Sequence, residues 1–446
     1  MHYTCKSLAS IESHQMKRGE KYIMSDIEMH LDVAEDGGNG YQKTAIQNEV
    51  FVYPSQIVES NIPKGASKDS GTMNSNDTSA LQEFFGNEAF KKRMNVTVYS
   101  EGLLRHDTGL TYFVGDNAEK TFNEIEAYDV ATNTNKSKSD ISLISLLSLI
   151  GYYSAKKYWS QYKAFPKEDL NVVVDRLITA LPLNEVKRNG VSASFADRFK
   201  NNNHTVVLNN FDLPVTVHIR FSYVNVMPEG LASVMALIYD PKSPLDYRND
   251  DIYSHVYFNS PEDRVDITGE SITNKSFLLI DIGDGSTDCI ISEGLDNNLY
   301  SSSGLEQGIG TCAQKAIDYL NAENPNNVRM TRQKFLQTAL EGDSSGARVY
   351  RETFEAQLPP FFTSLDDKVT RMLTTYKSNV DFVIVSGGGA SMVEKYHIED
   401  FQKIVKYSTG VFNAPIIVIP EKYSQLLNLS GLQVLLYRMQ QAHFYG

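Results

Sequence analysis

The sequence has 446 residues, 41% hydrophobic and 11% aromatic, which is enough for two sizeable cores and too apolar for general disorder. Its formal net charge of −13 leaves no electrostatic footprint for direct nucleic-acid binding. Three widely spaced cysteines, Cys5, Cys289 and Cys312, argue against a disulfide framework or a zinc site and point to a reducing, cytoplasmic compartment.

The N-terminus is polar, mixed in charge and without a signal-peptide core, so residues 1–28 read as a flexible extension. Residues 30–34 form a short strand that runs into the turn Asp36-Gly-Gly-Asn-Gly40. Residues 49–58 look extended, 63–79 form a surface loop, and 111–114 a strand. Residues 131–140 are a polar loop ending in Ser139 and Asp140, which are N-cap residues for a buried apolar helix, Ile141–Tyr162. That helix carries Ser142, Ser145 and Ser148 and falls short of the roughly 20 apolar residues a bilayer requires.

Residues 170–174 read as the end of a helical segment, and 178–183 as a buried strand stopped at Pro182. Residues 205–208 and 215–226 alternate like a hairpin. Pro228 and Glu229 then open a helical pattern through Leu237, where proline's missing N–H costs nothing. Residues 240–274 read as an irregular insertion. Phe277 begins a strand buried on both faces, and helices are expected over 311–320, 331–340 and 364–376. A strand over 382–385 runs into Gly387-Gly-Gly389, and a last strand lies near Ile416. The final helix, 430–441, sets Leu432, Leu435, Leu436 and Met439 on one face.

Three glycine-rich turns carry the chemistry. In the first, glycines let backbone N–H groups approach a phosphate, and Lys43 offers a compact positive charge. Asp36 beside a polyphosphate calls for a cation, and Mg²⁺ held through water fits. The second turn, Asp281-Ile-Gly283-Asp284-Gly285-Ser286-Thr287-Asp288, follows the same logic, with Ser286 and Thr287 hydroxyls as donors. Asp288 re-enters a strand and can orient the loop. The third, Gly387 to Gly389, sits at a strand-to-helix junction suited to a flat ligand or a phosphate. Each turn taken alone also fits an ordinary tight turn, and Glu229 alone also fits a carboxylate stabilised by a helix N-terminus.

As an ordered set, these turns resemble the two phosphate motifs and the adenosine motif of the actin, Hsp70-type and sugar-kinase superfamily. Asn225-Val-Met-Pro-Glu229-Gly230, Thr179-Ala-Leu-Pro-Leu-Asn-Glu185 and Gly308-Ile-Gly310 are similar to segments of ParM-type plasmid-segregation actins. The resemblance implies an α/β class, an actin-like fold with two similar α/β domains around a central nucleotide cleft. Domain I would comprise 29–226 plus 420–446, and domain II 227–419. The cleft would take ATP or GTP with Mg²⁺. The resemblance assigns nucleotide contacts to Asp36, Gly38, Asn39, Gly40, Lys43, Gly283, Gly285, Ser286, Thr287, Gly308, Gly387, Gly388 and Gly389. It places Asp36 and Asp281 on the metal through water and makes Glu229 catalytic, opposite the γ-phosphate, with Asp281 assisting.

The implied function is that of a filament-forming ATPase or GTPase driving plasmid DNA segregation. Its implied partners are further copies of itself and a ParR-like DNA-bound adaptor, with neither nucleic acid nor membrane contacted directly. Two features depart from the family pattern: Asp284 stands where glycine is common, and residues 240–274 are longer than expected. The alternative is a non-polymerising small-molecule kinase of the same superfamily.

Overall fold

The computed structural model describes residues 28–60, 72–105, 109–120, 125–128, 135–259, 264–297, 301–323, 330–375, 380–410 and 413–444. The expected N-terminal extension, apart from Glu28, and residues 63–71 and 131–134 of the two expected loops lie outside them.

The same strand arrangement occurs twice. In a ten-stranded sheet, Glu28–Gly37 turns back antiparallel through Tyr41–Ile46, and Leu170–Leu181 and Val215–Pro228 lie parallel on its other side. In a seven-stranded sheet, Ser276–Ile282 turns back through Thr287–Glu293, and Phe382–Ser386 and Ile416–Val418 lie parallel on its other side. The hairpin registers correspond as well. Asp36 opposes Lys43 in the first hairpin, and Asp281 opposes Asp288 in the second. Both glycine turns therefore emerge at equivalent ends of equivalent hairpins.

The larger sheet continues through His204–Leu208, Asn95–Ser100, Leu110–Val114 and Gln56–Ser60. Helix Ile141–Tyr162 is buried along most of its length; Ser148 Oγ donates back to Ile144 O at 2.6 Å and Ser154 Oγ to Ile150 O at 2.8 Å, while Ser142 Oγ bonds the Tyr128 hydroxyl at 2.6 Å. The C-terminal helix Leu427–Phe444 and the helix Leu231–Ile238 pack together over Ala34, Ala45, Ile178 and Ala180 of the larger sheet. Leu432 and Leu436 are buried there, and Leu435 and Met439 pack against them, as the periodicity predicts.

Several elements differ from expectation. Residues 170–174 are not the end of a helix but the start of one strand, Leu170–Leu181. Asp175 and Arg176 interrupt its apolar run, yet both are partnered across to the first strand: Asp175 meets His30 at 2.9 Å and Arg176 meets Asp32 at 2.8 Å. Pro228 ends a strand rather than opening a helix. It pairs in register with Leu181, and the helix begins at Leu231 after Gly230.

Asp140 precedes the long helix but does not cap it. Its carboxylate accepts from Leu104 N at 2.9 Å and pairs with Arg198, while Ser139 Oγ accepts from Ile141 N at 3.2 Å. The described residues of 240–274, which are 240–259 and 264–274, are folded structure. They supply a hairpin, Tyr239–Asp240 with Ser243–Tyr247, and an edge strand, Val256–Tyr257, on the smaller sheet. Helix Ser345–Glu355 has no counterpart among the expected elements; Ser344, within a turn-like Ser-Ser-Gly run, accepts from Ala347 N at 3.1 Å and caps it.

Candidate active site

Both hairpin turns and the Gly387–Gly388 junction face a single cavity of about 600 Å³, within the usual range for a small-molecule site. Asp36, Gly38, Asn39, Gly40 and Lys43 line it from the first turn. Gly283, Asp284, Gly285, Ser286 and Asp288 line it from the second. Lys136, Glu229, Asp281 and Asn428 complete the inner wall.

The first turn is braced by Ser55, whose Oγ donates to Gly38 O at 2.5 Å and whose N donates to Gly40 O at 3.0 Å. Lys43 Nζ lies 2.9 Å from Asp36 Oδ2. Glu229 occupies the turn between strand Val215–Pro228 and helix Leu231–Ile238, and its N donates to Leu181 O at 2.7 Å. Asn428 ties this turn to the second hairpin. It accepts from Gly230 N at 2.9 Å and donates to Asp281 Oδ2 at 2.7 Å.

Asp36, Glu229, Asp281 and Asp288 are all buried. Burial pushes the Glu229 carboxyl up to about 7; the Lys136 ammonium opposes that shift, and Asp36 and Asp281 add to it. Burial likewise raises Asp281, against the Asn428 hydrogen bond, and raises Asp288 well above the carboxylate range with help from Glu229 and Asp281. The cavity floor thus gathers carboxylates that repel one another, an arrangement that a cation relieves. Among the described residues no three acidic, histidine or cysteine side chains stand close enough to chelate an ion directly. The hard oxygens present fit Mg²⁺ held partly by water.

Residues 34–231 match the family model described as the N-terminal domain of actin-like proteins. No curated protein matches the sequence. The solved structure of the actin-like protein Alp7A is 18% identical, with 94% of this chain and 98% of that one covered at a TM-score of 0.63. A ParM from Bacillus thuringiensis, solved with ADP, is 16% identical at a TM-score of 0.54, covering 92% of this chain and 99% of that one. A ParM filament from Clostridium botulinum gives 16% identity and 0.56 over the same shares. The chain has the actin-like fold.

Within this actin-like fold, three of the residues expected on the nucleotide do not face the cavity. Thr287 is fully buried and its hydroxyl donates to Gln307 O at 2.8 Å. Gly308 lies beneath the second turn, where a Cβ would sit 2.4 Å from Gly283 O, and the helix that follows donates from Ile309 N to the same carbonyl at 3.0 Å. Gly389 is a packing glycine, pressed against Ile282 and Ile309. Gly388 opens to the cavity, and a Cβ there would meet nothing within 4 Å. Gly387 has φ +84° and would bring a Cβ within 2.4 Å of Asp281 Oδ1, so the turn requires glycine there.

Other site residues carry no motif. Lys136 is 3% exposed, and its Nζ lies 2.5 Å from Glu229 Oε1. A lysine in a polar loop just before an apolar helix is the faint signal available. Helix Arg332–Glu341 forms the outer wall, with Gln333 Nε2 donating to Gly40 O at 3.1 Å. Asp284 is drawn aside by Arg332, 3.0 Å away, which also donates to Tyr128 O at 3.1 Å. Its charge is thereby partnered. No helix among the described residues is long and apolar enough to cross a membrane.

Proposed function

We propose that this actin-like chain binds ATP or GTP with Mg²⁺ in the cleft, hydrolyses it, and polymerises with further copies of itself. The observation that carries the reading is the paired one: two topologically equivalent aspartate–glycine hairpin turns open onto one cavity, with Glu229 in its wall. Residues 29–226 with 420–446, and 227–419, serve as the two lobes.

Phosphoryl transfer to water is mostly positioning and charge stabilisation. Lys43 and the two turns hold the phosphates, with Gly38, Asn39, Gly40, Gly283, Gly285 and Ser286 closest to them. Glu229 aligns and deprotonates the attacking water, a role that suits a carboxyl held near 7. Asp36 and Asp281 hold Mg²⁺ through water, and the ion supplies charge neutralisation on the phosphate oxygens. Gly388 and the helix Arg332–Glu341 flank the space left for the base.

The solved ParM structures with ADP and with AMPPNP, and the ParM filament, support extending nucleotide binding and self-assembly to this chain. A net charge of −13 favours meeting DNA through a basic, ParR-like adaptor in plasmid segregation. Buried, unpaired Cys289 and Cys312 suit a cytoplasmic setting. Light scattering and sedimentation at micromolar protein test the assembly step. Polymer is expected with ATP or GTP and is expected to persist longer with non-hydrolysable analogues. No sedimentable polymer under any nucleotide rejects the filament reading.

A further inference from the structure

Lys136 is placed with unusual care. Its backbone N donates to Glu185 Oε1 at 2.8 Å, and Ser137 donates to Glu185 Oε2 from N at 3.0 Å and from Oγ at 2.5 Å. On the other side Arg198 donates to Ser137 O at 3.2 Å and to Ser139 O at 2.8 Å, and its guanidinium pairs with Asp140. Glu185 and Arg198 belong to the short helices that follow strand Leu170–Leu181. The turn is clamped, and the side chain is the part left free to rearrange.

That side chain runs into the cavity and ends on Glu229. A buried ion pair is a weak source of stability, because desolvation offsets most of the attraction. A site that needs Glu229 to meet water also gains nothing by blocking one of its oxygens. The ammonium has three donors on a four-carbon stem, so it can turn toward a newly arrived anion. Burial works against its charge, and Glu229 and Asp36 hold it protonated.

We propose that Lys136 is the triphosphate sensor of this cleft, clasping Glu229 until a terminal phosphate oxygen takes over the ammonium and releases the carboxylate toward water. The proposal rests on the nucleotide reading above. It makes Lys136 a direct ligand of the terminal phosphate and makes a diphosphate unable to open the clasp. Lys43, already paired with Asp36 on the first turn, serves the inner phosphates.

The test compares Mg²⁺-bound nucleoside triphosphate and diphosphate affinities by calorimetric titration in wild type, Lys136→Met and Lys136→Arg. The methionine variant should lose about tenfold or more in preference for triphosphate over diphosphate, the worth of a charge-assisted bond, with diphosphate affinity kept. The arginine variant should restore part of that preference. Lys136→Met leaves Glu229 buried without its partner, so Lys136→Met/Glu229→Gln is compared with Glu229→Gln alone, and the same loss of preference is expected. An unchanged triphosphate-to-diphosphate ratio in both comparisons overturns the sensor while leaving nucleotide binding standing. Wild-type protein that binds neither nucleotide overturns the nucleotide reading and the sensor with it.

Discussion

Asn428 Nδ2 donates to Asp281 Oδ2 across 2.7 Å, joining the C-terminal helix to the end of a central strand 147 residues away. The same side chain accepts from Gly230 N at 2.9 Å and from Ser233 Oγ at 2.8 Å. One amide therefore fixes the Glu229 turn relative to the second hairpin turn. Asn428→Ala should cost roughly 1–3 kcal/mol in urea unfolding, the usual penalty for stranding buried polar groups. It should also weaken nucleotide binding. Full retention of both would remove Asn428 from the site's support.

Neighbouring glycines should behave oppositely. Gly387→Ala forces a Cβ to within 2.4 Å of Asp281 Oδ1 at φ +84°, whereas Gly388→Ala meets nothing within 4 Å. The first variant should lose roughly 1–3 kcal/mol of stability, the scale of stored backbone strain, and most nucleotide affinity. The second should fold normally. Thermal melts and titration of the two proteins side by side decide the matter.

The parts of the molecule visible in the sequence are those with local signals. Ser276–Ile282 and Phe382–Ser386 announce themselves as unbroken apolar runs, and each hairpin turn shows its aspartate and glycines. What the sequence hides depends on partners distant in the chain. Strand Leu170–Leu181 looks broken at Asp175 and Arg176 because His30 and Asp32, which accommodate them, lie about 145 residues earlier. Lys136 is one more polar residue until the fold sets it against Glu229, 93 positions on. Thr287 and Gly308 depart from expectation for the converse reason. They match a motif, yet hydrogen bonding to Gln307 O and close packing on Gly283 O point them away from the cavity.

The Asp36 carboxylate should act through the cation. In wild type, chelating Mg²⁺ should weaken nucleotide binding strongly, because polyphosphate would then face Asp36 and Asp281 unscreened. Asp36→Ala should bind Mg-nucleotide less tightly than wild type and respond less to chelation. Titrations with and without chelator that shift equally in both proteins would exclude Asp36 as a metal-side residue.

His204 gives the fold a pH dependence of known sign. Its Nε2 donates to Phe199 O at 2.8 Å, so Nδ1 accepts from Ser100 Oγ at 2.7 Å and the buried ring is neutral. Burial lowers its pKa, against smaller opposing contributions from the Phe199 carbonyl and the nearby Glu101 carboxylate. The unfolded chain then takes up the proton first. The histidine's contribution is present above about 6.5 and is lost as pH falls through the lowered folded value. His204→Gln should melt lower than wild type at pH 7.5, and the gap should narrow toward pH 5. Parallel curves would contradict the assignment.

Phosphate release by wild type and Glu229→Gln is the decisive measurement for a nucleotide-hydrolysing cleft with Glu229 at its working end. With Mg-ATP or Mg-GTP, wild type should release phosphate. The variant should bind the nucleotide within a few-fold of wild type yet release phosphate roughly 100-fold or more slowly, the usual worth of a general base. Equal release rates from the two proteins, or no release by wild type with either nucleotide, would contradict the account.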